Sequence, residues 1–109
     1  MNNEIRHEVF QLQAEFCKSL ADAKRLMIIH ELRDGEKSVN ELVEKLGLKQ
    51  SNTSQHLAIL RKAGIITPRR EGNTIYYELA NPRIGEACDL VQGFIAERLK
   101  GNQALAEMM

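Results

Sequence analysis

The sequence has no tryptophan, only two prolines and two cysteines, and aromatic residues fill 5% of its 109 positions. Two thiols cannot staple a small secreted scaffold, so the chain is expected to keep its cysteines reduced and to work in the cytoplasm. No apolar run approaches the roughly 20 residues that a membrane-spanning helix needs. The opening, MNNEIRHEVF, lacks the basic cap and apolar block of a secretory leader. A glycine-rich phosphate loop, an HExxH pair, a nucleophile elbow and an obvious carboxylate pair are all missing, so neither an enzyme nor a cofactor is expected. Net charge is absent too, because fifteen basic residues balance fifteen acidic ones. That argues against a chain that coats nucleic acid with every face, but it leaves room for a local basic patch.

What is present describes an ordinary globular chain: 43% of residues are apolar and 28% charged. The length fits one domain with a modest core, here taken as residues 1–109. Apolar residues at Ile5, Val9, Leu12, Phe16 and Leu20 step by four, three, four and four, one face of a helix over residues 1–20. A second line, Phe10, Ala14, Cys17 and Ala21, makes that face wider than a single core contact requires. Asp22 is positioned to cap the next helix, which carries Leu26, Met27, Ile28, Ile29 and Leu32 and stops at Asp34-Gly35. Ser38 and Glu41 form the SVNE capping box of a short third helix that carries Leu42, Val43 and Leu46 and ends at Gly47. The fourth begins between Lys49 and Ser51 and runs to Ala63, with Leu57, Leu60 and Ala63 inward, Ile59 beside them, and Gly64 as the stop.

From Ile65 the pattern turns to two β-rich runs around Gly72-Asn73, a hairpin over residues 65–79. Asn81-Pro82 opens a last helix over residues 82–100, striped by Ile84, Cys88, Val91, Ile95 and Leu99, and residues 101–109 read as a frayed tail. The expected fold is therefore mainly α (α+β), in the order helix, helix, helix, helix, hairpin, helix.

Between Lys49 and Arg70 lie five basic residues and no acid. Residues 38–63 have the arithmetic of a helix-turn-helix, two helices joined by a very short connection. The outward face of the second is expected to carry Gln50, Ser51, Thr53, Ser54, Gln55 and His56 in its first two turns. Short or planar hydrogen-bonding groups are what base edges in a major groove require. Arg61 and Lys62 would lie near the phosphate walls, and the hairpin would place Arg69 and Arg70 on one arm with Asn73-Thr74 at its tip. Charge is concentrated because one face meets DNA, whereas the flanking helices hold a slight excess of acids.

The stretches LADAKRLMIIHEL, SVNELVEKLGLKQSNTSQHLAILRKAGII and RREGNTIYYEL closely resemble the ArsR/SmtB family of winged helix-turn-helix transcriptional regulators, over about residues 16 to 80. The resemblance implies a homodimer through the first and last helices, and a repressor that leaves its operator when an inducer binds. By position it implies that Gln50, Ser51, Thr53, Ser54, Gln55 and His56 face bases or nearby phosphates. Arg69, Arg70, Gly72 and Asn73 would form the wing, and Arg25 in DAKRL would be structural. At the start of the recognition helix, where relatives often have Ser, stands Lys49, which weakens the cap and adds positive charge. The dimer also follows from the wide apolar stripes of the terminal helices. A two-fold axis would set two recognition helices about 34–36 Å apart on a palindromic operator.

The family's usual metal sites need cysteines in the helix before the recognition helix, or histidines in the last helix. VNELVEKLG and NPRIGEACDLVQGFIAERL offer neither, so no metal site is expected. Cys17 and Cys88 remain, on the two helices expected at the interface, and three readings stay open for them: packing, a thiol redox switch, or a soft-metal or arsenic(III) ligand pair. Sulfur-responsive relatives usually place one cysteine in the second helix, where this chain has His30. His7 is expected to be solvated, His30 partly buried, and His56 a DNA contact or a packing residue. The competing function is a winged helix used for protein interaction or RNA binding without an inducer.

Overall fold

The structure, a computed structural model, describes residues 2–100 and 107–109. Its elements are α1 (Asn3–Leu20), α2 (Ala23–Leu32), β1 (Lys37–Ser38), α3 (Val39–Leu46), α4 (Gln50–Lys62), β2 (Ile66–Glu71), β3 (Thr74–Leu79) and α5 (Arg83–Arg98). Local chemistry sets most of these boundaries. Asn2 caps α1 by accepting from the Ile5 amide at 2.9 Å. Asp22 caps α2, its Oδ1 accepting from the amides of Lys24 at 2.8 Å and Arg25 at 3.2 Å. Those amide donors, Arg25 first, hold the Asp22 carboxyl below the usual carboxylate range. Gly47 ends α3 in the left-handed region, φ 65°, where its N–H bonds back to the Val43 carbonyl. Asn81 rather than Pro82 supplies the side-chain bond at the start of α5, accepting from the Arg83 amide at 2.9 Å.

β2 and β3 pair antiparallel from Ile66↔Leu79 to Glu71↔Thr74, closed by Gly72 and Asn73. Of these two only Gly72 has positive φ, 61°, the pattern of a type II′ turn, whose twist matches the flanking strands. Pro68 sits on β2, an edge strand in the order β1-β3-β2, so its missing N–H breaks no inner ladder. β1 was not expected. Its two residues carry no alternating pattern of their own and are held as a strand by pairing with Tyr77 and Tyr76 of β3.

The core is Ile28, Ile29 and Leu32 of α2, Leu42 of α3, Leu57 and Leu60 of α4, and Ile65 and Ile66 at the entry to the wing. Each fully buried side chain of this kind contributes about 1.5–3 kcal/mol. Ile59, beside the inward row, is 42% exposed, and Leu26 and Met27 are 42% and 40% exposed, because α2 and α4 each bury only one face. His30, expected to be partly buried, lies on the exposed side of α2. Residues 101–106, most of the tail expected to fray, lie outside the described residues.

The terminal helices scarcely join this core. Ser19 is the buried residue of α1 and Gly85 that of α5. At their inner ends Leu20, Ile84 and Cys88 pack against the core, while beyond them Val9, Phe10, Leu12, Leu90, Val91 and Phe94 are 45–77% exposed. Arg33, at the end of α2, crosses over Gly85 so closely that a Cβ there would collide with it, and it bonds Asp89 at 2.6 Å. The radius of gyration is 16.1 Å, against about 13 Å for a compact chain of this length. No described helix is long and apolar enough to cross a membrane. Leu60→Ala is expected to lower unfolding stability by about 2–5 kcal/mol, and Ile59→Ala by far less, read from urea midpoints at one protein concentration.

Candidate nucleic-acid interface

The capping box closes in both directions: the Glu41 amide donates to Ser38 Oγ at 3.2 Å, and the Ser38 amide donates to Glu41 Oε1 at 3.1 Å. It starts α3 at a defined residue, and left-handed Gly47 then turns the chain into α4 within three residues. Lys49 is the N-cap of α4 and makes no side-chain cap bond. The first amides of α4 therefore keep donors to offer outward, with a cationic side chain beside them.

Which side of α4 faces out follows from what its other side buries. Thr53, Leu57 and Leu60 are 0–1% exposed. At 3.6 residues per turn the opposite face is Ser51, Gln55, Ala58 and Lys62, with Ser54 and Arg61 along one flank. All six are exposed, as is Gln50. Four of the six residues expected at the reading face, Gln50, Ser51, Ser54 and Gln55, therefore lie together on the surface. Thr53 does not: it is fully buried and its hydroxyl donates to the Lys49 carbonyl at 2.8 Å, a helix-internal bond that replaces any outward contact. His56 is turned toward α2, its side chain 15% exposed, with Nδ1 3.2 Å from the Arg25 guanidinium and Nε2 3.8 Å from Asp22. Ala58 was missed. Extending the period from Ser51 by seven residues reaches it, but a search for polar groups passes over a methyl, which is the natural partner of a thymine methyl.

The wing divides its cations. Adjacent residues of a strand point to opposite faces, and Arg69 and Arg70 meet different fates. Arg69 grips the loop before β1, with Nε donating to Glu36 Oε2 at 3.0 Å and Nη2 to Glu36 Oε1 at 2.5 Å. Its Nη1 donates to Glu71 at 3.1 Å, and the guanidinium carbon lies 4.9 Å from the Tyr76 ring centre. These carboxylates push the Arg69 pKa up, and the Arg69 hydrogen bonds hold Glu36 below the usual carboxylate range. Arg69 is thus a clamp, contrary to its expected place among free cations. Arg70, Lys49, Arg61 and Lys62 are exposed and make no ion pair among the described residues. Asn73 and Thr74 are exposed at the wing tip.

Away from this face, Cys17 is exposed on α1 and Cys88 is half-buried against the core, both as free thiols. Burial, followed by the charge of Asp89, pushes the Cys88 thiol up, with Arg33 opposing. Among the described residues no three His, Cys, Asp or Glu side chains are grouped to hold a metal ion.

Known proteins are similar to this chain in sequence and in fold. The family model described as bacterial regulatory protein, arsR family, matches residues 22–67, from the α2 cap to the start of the wing. The HTH-type transcriptional regulator Rv0081 of Mycobacterium tuberculosis is 38% identical over 100 residues, covering 91% of this chain and 88% of that protein. Its crystal structure superposes with a TM-score of 0.77 over 85% of this chain and 94% of that one. The structure of reduced HlyU from Vibrio cholerae is 33% identical with a TM-score of 0.73, covering 84% of this chain and 96% of that one. A solution structure of the homodimeric winged helix-turn-helix DNA-binding domain Mb0332 from Mycobacterium bovis is 27% identical with a TM-score of 0.81, covering 94% of each chain.

Glu36 occupies two donors of Arg69, Nε and Nη2, that a DNA phosphate at the wing would need. Glu36→Gln is expected to tighten binding to any duplex and to steepen the log–log salt slope by about 0.9, one added phosphate contact. Fluorescence anisotropy at several salt concentrations reads this, and an unchanged slope means Arg69 has no phosphate within reach.

Proposed function

Because this chain belongs to the arsR family of bacterial regulatory proteins, which are helix-turn-helix transcriptional regulators and not enzymes, we propose that it is a sequence-specific DNA-binding repressor. It acts in the cytoplasm as a homodimer on an inverted-repeat operator and is released by a small inducer. The observation that carries this reading is the outward face of α4: polar groups of hydrogen-bonding length at its uncapped start, unpaired cations at its end, and no acid. Ser51, Ser54 and Gln55 are assigned to base edges, with Gln50 beside them, and Ala58 to a thymine methyl. Lys49, Arg61, Lys62 and Arg70 are assigned to phosphates, with Asn73 at the wing tip reaching the neighbouring backbone. A protein-interaction surface would present apolar groups here, and Ala58 is the sole one in the row Ser51, Gln55, Ala58, Lys62.

The dimer is supported by the exposed stripes of α1 and α5. Val9, Leu12, Leu90, Val91 and Phe94 are 45–77% exposed, and apolar side chains gathered on two helices in this way suit a partner surface. Pairing them about a two-fold axis covers both stripes and repeats the reading helix at about 34–36 Å, one turn of B-DNA.

Release through the thiols would involve Cys17 and Cys88. The thiolate is the reactive form, and burial holds Cys88 toward the protonated form. Cys88 also packs against core residues, so its chief role is packing.

Promoter fragments upstream of the chain's own gene, with and without an inverted repeat, test the main claim by anisotropy. Specific over random binding is expected to differ by about a thousandfold or more, and equal affinities would sink sequence-specific repression. Gln55→Ala is expected to relax preference at one base position per half-site by about 1–3 kcal/mol, whereas Arg70→Ala weakens all duplexes alike and lowers the salt slope by about 1. Phe94→Glu is expected to yield a monomer in sedimentation and to abolish the preference for paired half-sites. For release, Cys88→Ser is expected to leave dissociation under oxidant or arsenite unchanged; loss of that response would return Cys88 to the sensor role.

A further inference from the structure

A chain of polar contacts runs from the end of α1 to α4 on the side that does not face outward. Arg25 Nε donates to the carbonyl of Ser19 in the last turn of α1, at 2.6 Å. Its Nη1 lies 3.2 Å from Nδ1 of His56 on α4. His56 Nε2 in turn lies 3.8 Å from Asp22 Oδ1, the oxygen that caps α2 by accepting from the Lys24 and Arg25 amides. A guanidinium only donates, so Nδ1 of His56 must accept. The ring proton therefore sits on Nε2, toward the Asp22 carboxylate, and the contacts select one neutral tautomer.

We propose that Arg25 and His56 are positioning residues for DNA reading, setting the roll of α4 about its axis and tying that roll to α1. The inference rests on the DNA-binding reading above. Leu57 and Leu60 hold α4 against the core through non-directional contacts, which tolerate a small rotation. A hydrogen bond on the flank is directional and does not. Rotation about the helix axis is the motion that swings Ser51, Ser54 and Gln55 away from base edges while leaving cations near the backbone. Because Arg25 also holds the end of α1, whatever fixes α1 against a partner fixes the direction of the reading face.

The test uses the full-length protein with its operator and a random duplex of equal length. His56→Ala is expected to lower the operator-to-random affinity ratio about tenfold, the cost of a loosely held site, while random-duplex affinity and salt slope stay within about twofold. His56→Gln, whose amide oxygen accepts from Arg25, is expected to restore most of the ratio. In ¹⁵N-labelled wild type the His56 imidazole is expected to show a bare Nδ1 and a protonated Nε2 near neutral pH. An unchanged ratio in folded His56→Ala, or operator and random affinities that fall in proportion, overturns the proposal. So does a proton on Nδ1, a result that stands even where the alanine variant does not fold. A wild type that fails to discriminate operator from random duplex would instead defeat the DNA-binding reading, and the imidazole spectrum would still judge the contact chain.

Discussion

The structure depends on the burial of one face of α4. Leu57 and Leu60, with Thr53 one turn before them, are locked against Ile28 and Ile29 of α2, Leu42 of α3, and Ile65 and Ile66 at the root of the wing. A helix is a rigid rod at this scale, so burying one side turns the polar row Ser51, Gln55, Lys62 outward, and the Arg25–His56 contact on the flank is left to set the fine roll of that row. Those outer residues are therefore free to be chosen for what they bind. The same core determines the wing, because Ile65 and Ile66 anchor β2 directly after the Gly64 turn.

Charge is handled by the same division of labour. Near the middle of the chain most acids have partners that keep them off the reading face: Glu31 with Lys37, Asp22 with the amides of α2, Glu36 and Glu71 with Arg69. On α4, at its cap and on the wing, Lys49, Arg61, Lys62 and Arg70 make no ion pair among the described residues. A chain of zero net charge thereby presents a positive surface, since the field near a duplex depends on position and not on the sum. Each exposed ion pair adds little stability. The value of the Arg69–Glu36 clamp lies in geometry, because it holds the wing to the loop ahead of β1 and sets where Arg70 and Asn73 stand.

The terminal helices obey a different constraint. They carry apolar faces that the core of a single chain cannot cover, and they leave the protomer wide at 46 × 44 × 22 Å. Arg25 is the joint between this outer layer and the inner one, since it touches α1 through Ser19 and α4 through His56.

Much of this was legible in the chain because its causes are local. Asp22, the Ser38–Glu41 box, Gly47, Gly64 and the Gly72-Asn73 turn punctuate the sequence at the places where backbone groups need caps or positive φ, so element order and most boundaries could be read directly. The apolar period placed Leu57 and Leu60 inside and made the stripes of α1 and α5 conspicuous. Other features were decided only by tertiary contact. β1 exists because β3 offers an edge. Thr53 is buried because it falls between two leucines on the inner face, though its hydroxyl made it look like a base contact. His56 faces α2 because Arg25 and Asp22, more than thirty residues earlier, converge there, and Arg69 is a clamp because Glu36 folds back across the same distance. Sequence period determines which face a residue occupies, whereas the partner that meets it there is selected by the packing of distant segments, which no local pattern encodes.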